Sequence, residues 1–66
     1  MTNVLPKRQK ETLEVILRYR LVVGRYPKFT EIAQELGVSN QMARIHVMKL
    51  EEKGYVVRKG RSFELT

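Results

Sequence analysis

Between Pro6 and Gly24 the chain reads KRQKETLEVILRYRLVV, and Leu13, Ile16, Leu17 and Leu21 recur at the three- and four-residue steps of one helix face. Pro6 is tolerated in a first turn, where a backbone N–H has no intrahelical partner to lose. The segment predicts a first helix. A second apolar stripe, Val15, Tyr19 and Val22, lies on a neighbouring face, more than a helix with one wet side requires. Two readings of it stand: a helix wedged among its neighbours, or a self-association surface. Gly24-Arg25-Tyr26-Pro27-Lys28 is a loop, because Pro27 disfavours helix at Tyr26. Thr30 is placed to cap a second helix from Glu31 to Leu36, with Ile32, Ala33 and Leu36 inward and Glu31 in the turn where the helix dipole favours an acid. Gly37 ends it. Ser39 is placed to cap a third helix, from about Asn40 to Lys53. Ala43, Val47 and Leu50 share one face of it, with His46 beside them as a packed core histidine, and Asn40, Gln41, Arg44, Ile45 and Met48 share another. Tyr55-Val56-Val57 predicts a strand, Arg58-Lys59-Gly60-Arg61 a turn, and Ser62-Phe63-Glu64-Leu65 a returning strand. The order is α-α-α-β-β, a mainly helical chain closed by a small β-hairpin, without linker or repeat.

Composition narrows the class. The 66 residues correspond to one domain, 1–66, and 42% hydrophobic content is enough for a small core. With no Cys there is no disulfide framework, thiolate metal site or Cys nucleophile, and a single His builds no His-based metal site. The acids are all Glu and no Gly-rich phosphate loop occurs, so no nucleophile–base–orienter set can be drawn. No enzyme, cofactor, metal or small-molecule substrate is expected. No apolar run reaches the ~18 residues of a membrane span, and no signal-like start is visible. The expectation is a cytoplasmic protein without a membrane partner.

Charge supplies the functional direction. Lys and Arg number 13 against 7 acids, a formal net charge of +6, which asks for an anionic partner, nucleic acid being the commonest. The excess is uneven: residues 1–28 carry +5, residues 29–54 carry −1 and residues 55–66 carry +2. Two basic clusters flanking a near-neutral helical segment suit phosphates on either side of a groove.

IAQELGVSNQMA satisfies several requirements of a helix-turn-helix together, over about residues 30–53. Ala33 is small where two helices would cross, Gly37 permits the sharp turn, and Val38 with Ala43 plugs the space between. Followed by a basic hairpin over about residues 55–65, the pattern is that of a winged helix-turn-helix.

LPKRQKETLEVI, GRYPKFTEIAQELG and HVMKLEEKG resemble the N-terminal DNA-binding domain of the LexA repressor family, from Leu5 to Leu65. EIAQELGV and KLEEKGY are shared more widely by bacterial and archaeal winged-helix regulators. The resemblance implies a three-helix bundle with a two-stranded wing and the third helix in the major groove of DNA. The family also carries a C-terminal Ser-Lys self-cleavage domain. No residues are left here to hold one, so a free-standing protein without cleavage-controlled derepression is expected. The family reads bases through a polar and acidic stretch early in the third helix. The matching positions here are Gln41, Arg44 and Ile45, and an Arg in place of an acid implies a different operator.

The candidate base contacts are Asn40, Gln41, Arg44, Ile45 and Met48. Amides pair with adenine and Arg with guanine O6/N7. The alternatives are capping for Asn40, a phosphate contact for Arg44, and burial in the core for Ile45 and Met48. Candidate backbone contacts are Lys7, Arg8, Lys28, Ser39, Lys49, Arg58, Lys59 and Arg61, with the last three in the wing turn. Neutralising about 4–6 phosphates would give a log–log salt slope near −4 to −5. Val15, Tyr19 and Val22, helped by Tyr26, are the candidate dimer contact, since one small domain covers few base pairs and a homodimer on a two-fold site is expected. The reading is a small transcriptional regulator of a prokaryote or its virus that binds double-stranded DNA sequence-specifically. Its rivals are a winged-helix module for protein or RNA, and a nonspecific architectural DNA binder.

Overall fold

The computed structural model describes residues 5–60 and 62–66. Among them run α1 (Lys7–Arg18), a π-helical turn (Tyr19–Val23), α2 (Phe29–Leu36), α3 (Asn40–Glu52), β1 (Val56–Lys59) and β2 (Ser62–Leu65). The strands form one antiparallel pair. Three helices followed by a hairpin is the expected winged helix-turn-helix.

Ile16, Ile32, Ala43 and Leu50, one or two from each helix, reach at most 0% exposure, and Val15, Ala33, Val47, Val56 and Phe63 close the core around them. Each large aliphatic side chain so buried stabilises the fold by about 1.5–3 kcal/mol. The hairpin contributes Val56 and Phe63 to the same core, so the wing is docked on the helices. Thr12 is also fully buried, which is tolerable because its hydroxyl donates to the Arg8 carbonyl at 2.7 Å.

The first helix departs from its expected phase. The Gly24 N–H reaches back five residues to the Tyr19 carbonyl at 2.9 Å, and this wide last turn carries Leu21, Val22 and Val23 off the core face. Leu21, Val22 and Val23 are 82%, 78% and 53% exposed, and Leu17 is 40% exposed. The inward face is instead Thr12, Val15 and Ile16, with Leu13 and Tyr19 packed at its margin. The expected dimer stripe is therefore not one surface: Val15 is core, Tyr19 is half-buried, and only Val22 is free.

The second helix starts two residues before its expected first residue. Lys28 is the boundary residue, and its N–H donates to the Glu31 carboxylate at 2.8 Å. That bond satisfies one of the donors a helix start leaves over. Thr30 consequently sits inside the first turn and does not cap. Gly37 takes the left-handed conformation, φ +70°, that ends α2. Ser39 caps α3 as expected, its Oγ accepting from the Met42 N–H at 3.1 Å.

The wing turn is tighter than expected. Lys59 pairs with Ser62 and Arg58 with Phe63, so Arg58 and Lys59 belong to β1 and the chain reverses between Lys59 and Ser62. Gly60 accommodates it at φ +59°. Tyr55, expected in the strand, precedes it.

Candidate nucleic-acid interface

The turn between α2 and α3 fixes how their N-terminal ends meet. Lys28, Phe29 and Thr30 from the start of α2 face Asn40, Gln41 and Arg44 from the first turns of α3 across an open cleft. The wing continues this cleft: Phe29 and Arg44 also border Arg58 and Gly60. The strand register explains Arg58, because Val56, Arg58, Phe63 and Leu65 share the face turned to the helices while Val57, Lys59 and Glu64 face away.

Asn40, Gln41 and Arg44 are exposed, as a reading face requires. Met48, one helical turn beyond Arg44, is 43% exposed, and Ile45 is half-buried. Neither is in the core, which resolves the phase of α3. Met42 is exposed at 41% as well, although it was not singled out from the sequence. His46 is half-buried beside the core rather than within it.

Arg44 has a feature no spacing rule could have revealed. Its guanidinium carbon lies 5.3 Å from the centre of the Phe29 ring, within cation–π range. Phe29 packs on Phe63 of the wing with ring centres 5.6 Å apart, and Phe63 packs on Tyr26 at 6.2 Å. Arg20 lies 5.6 Å over the far ring, Tyr26. The Tyr26 hydroxyl accepts from the Leu65 N–H at 3.3 Å, which ties the wing to the loop before α2. Residues from four elements thus make one column, and Phe29 and Thr30 join the cleft without a sequence signal that would have chosen them.

The acids sit away from this cleft or are neutralised beside it. Arg25 holds Glu31 through two hydrogen bonds of 2.8 and 2.6 Å. These bonds, together with the Lys28 backbone N–H, bring the Glu31 carboxyl down to about 2 and raise the Arg25 guanidinium above its ordinary value. Arg18 pairs with Glu35, Arg8 with Glu11, and Lys49 with Glu52 at 3.9 Å. Among the described residues, Lys28, Arg44, Arg58 and Lys59 have no carboxylate partner, and all stand at the N-terminal end of α3 or on the wing.

A second set stands at the other end of α3. The Lys53 ammonium donates to the Gln9 side chain at 2.7 Å, which brings the first turn of α1 beside the end of α3. Lys7, Lys10 and Lys53 also lack a carboxylate partner among the described residues. Arg8 is engaged inside the protein: besides Glu11, it donates to the Leu36 carbonyl at 3.1 Å and so caps the end of α2. Of the expected backbone contacts, Ser39 lies at the N-cap of α3, Lys49 is partly neutralised by Glu52, and Arg61 falls outside the described residues.

The described residues hold no cluster of His or acids fit for a metal ion, and no helix long and apolar enough to cross a membrane.

The family described as LexA DNA binding domain matches residues 2–62. The LexA repressor of Thermosipho africanus is 39% identical over 54 residues, which is 82% of this chain and 27% of that protein. The LexA repressors of Citrifermentans bemidjiense and of Geobacter sp. strain M21 are each 40% identical over 55 residues, again 82% of this chain and 27% of theirs. The chain spans about a quarter of the length of the relatives it matches.

Proposed function

The chain belongs to the LexA DNA-binding domain family, and from that premise we propose that it binds double-stranded DNA sequence-specifically as part of a cytoplasmic transcriptional regulator. One observation carries the reading: among the described residues, the cations without carboxylate partners, apart from Arg20 over the Tyr26 ring, gather at the two ends of α3 and on the wing, around an exposed polar N-terminal half. A helix of 13 residues is about 20 Å long, and the major groove is about 12 Å wide. With α3 in the groove, its ends overhang the two walls. Lys28, Ser39, Arg58 and Lys59 then meet one phosphate strand while Lys7 and Lys53 meet the other. Lys49 adds a weaker contact because Glu52 stays beside it.

Within the groove, Asn40 and Gln41 suit the paired donor and acceptor of adenine, and Arg44 the two acceptors of guanine. Met48, and Ile45 at its margin, suit thymine methyls. A single protomer covers few base pairs, so two protomers on a two-fold site complete the reading. Leu17, Leu21, Val22 and Val23 are the exposed apolar residues nearest to what such a pair requires.

Random-site selection on double-stranded DNA tests this. A consensus with dyad symmetry is the expected result. Salt-sensitive binding without consensus would make the protein an architectural binder, and no binding would leave a module for protein or RNA.

A further inference from the structure

We infer that Phe29 is a positioning residue for base recognition, acting through Arg44, and that the wing sets sequence preference by holding Phe29. The inference rests on the reading of α3 as the element that meets base edges. Arg44 makes no hydrogen bond and no ion pair with any other described residue, and its one specific contact is the Phe29 ring at 5.3 Å. An exposed Arg samples many rotamers, and docking it on a base edge loses that freedom. A ring face restricts the guanidinium before DNA arrives and leaves every N–H donor uncommitted. An arginine so held loses less entropy per hydrogen bond formed.

The ring is itself well held. Phe29 is half-buried, it opens α2, and it packs against Phe63, which is 4% exposed and belongs to the core. Phe63 is the cross-strand partner of Arg58. The wing therefore has two roles on different strands. Arg58 and Lys59 of β1 present charge to the backbone. Phe63 of β2 presents no group to DNA but fixes the ring under the reading arginine. A wing that is merely a charged flap predicts no effect of β2 on base preference.

The test compares single-base variants of the preferred duplex, bound by the wild type, Phe29→Leu, Phe29→Tyr, Arg44→Ala and Phe29→Leu combined with Arg44→Ala. Leucine keeps apolar volume on Phe63 and removes the ring face; tyrosine keeps the face. Immobilising one such side chain is worth about a three- to tenfold change in binding. Phe29→Leu should lose about that much discrimination, at the base pair that Arg44→Ala affects, while random-DNA affinity stays within about twofold and the salt slope is unchanged. Phe29→Tyr should retain the preference. In the Arg44→Ala background, Phe29→Leu should cost nothing further at that base pair.

An equal loss at all positions, or full additivity with Arg44→Ala, would overturn the inference and leave the DNA-binding reading intact. A wild type without base preference would remove both. One further readout depends neither on DNA nor on the variants folding. In the free wild type, NMR relaxation should show the Arg44 guanidinium more ordered than that of Arg58, with ring-current shifts on its side-chain protons. An Arg44 as mobile as Arg58 and unshifted would refute the positioning role.

Discussion

Salt should weaken DNA binding steeply, and by an amount the structure apportions among named residues. With Arg44 assigned to a base, the reading places five of the cations without carboxylate partners on phosphates, Lys28, Arg58 and Lys59 at one end of α3 and Lys7 and Lys53 at the other, and leaves Lys10 uncounted. Five neutralised phosphates per protomer give a log–log slope of about −4.5 on a half-site duplex. Between 50 and 200 mM salt the affinity should then fall about 500-fold. Lys59→Gln and Lys7→Gln should each bring the slope to about −3.6, and the two together to about −2.7. Each should weaken preferred and random duplexes alike, because a phosphate contact carries no base information. Glu11→Gln, by contrast, frees Arg8 only in part, since that guanidinium still donates to the Leu36 carbonyl. Anisotropy titrations of a labelled duplex at four or five salt concentrations measure all of this. A slope near zero would refute nucleic-acid binding. A full slope that Lys7→Gln leaves unchanged would refute the placement of the α1 start on the second phosphate strand.

Arg44→Ala should cost about 1–3 kcal/mol on the preferred site and little on random DNA, whereas Arg58→Ala should weaken both alike; competition binding with single-base variants separates the two patterns. The Glu31 carboxyl, brought to about 2 by Arg25 and the Lys28 N–H against 4.5 in an unfolded chain, gives a stabilising contribution that is fully present above pH 4.5 and lost as the pH falls toward 2. Thermal melts across that window should show Glu31→Gln losing less stability on acidification than the wild type, and parallel curves would contradict the Arg25–Glu31 clip. Val22→Glu, at a position 78% exposed, should leave the melting temperature nearly unchanged and weaken binding to a duplex with two half-sites more than to one half-site. Sedimentation and binding on that variant check the assignment, and equal effects on both duplexes would move the dimer contact elsewhere.

Element order, the turn at Gly37, the Ser39 cap and the exposed polar face of α3 were legible in the sequence, because each depends on residues three or four apart along the chain. Short-range rules also explain the misses. The start of α2 moved to Phe29 because the Glu31 carboxylate bonds the Lys28 N–H, and a hydroxyl at Thr30 is an equally good local candidate until that bond is seen. Leu21, Val22 and Val23 depart from the expected face because periodicity assumes a constant turn, and the π turn ending at Gly24 changes it, whereas the buried Thr12 and Val15, ahead of that turn, are set by packing against the other helices. Basic charge at both chain ends was visible in the sequence, but which charges are neutralised was not. Arg25 with Glu31, Arg18 with Glu35, and Arg8 with Leu36 are pairings of six, seventeen and twenty-eight residues' separation. The stacking of Arg44 on Phe29, and of Phe29 on Phe63, spans three elements. Local propensity is silent on such contacts, since they exist only once the helices and the wing have buried their shared core.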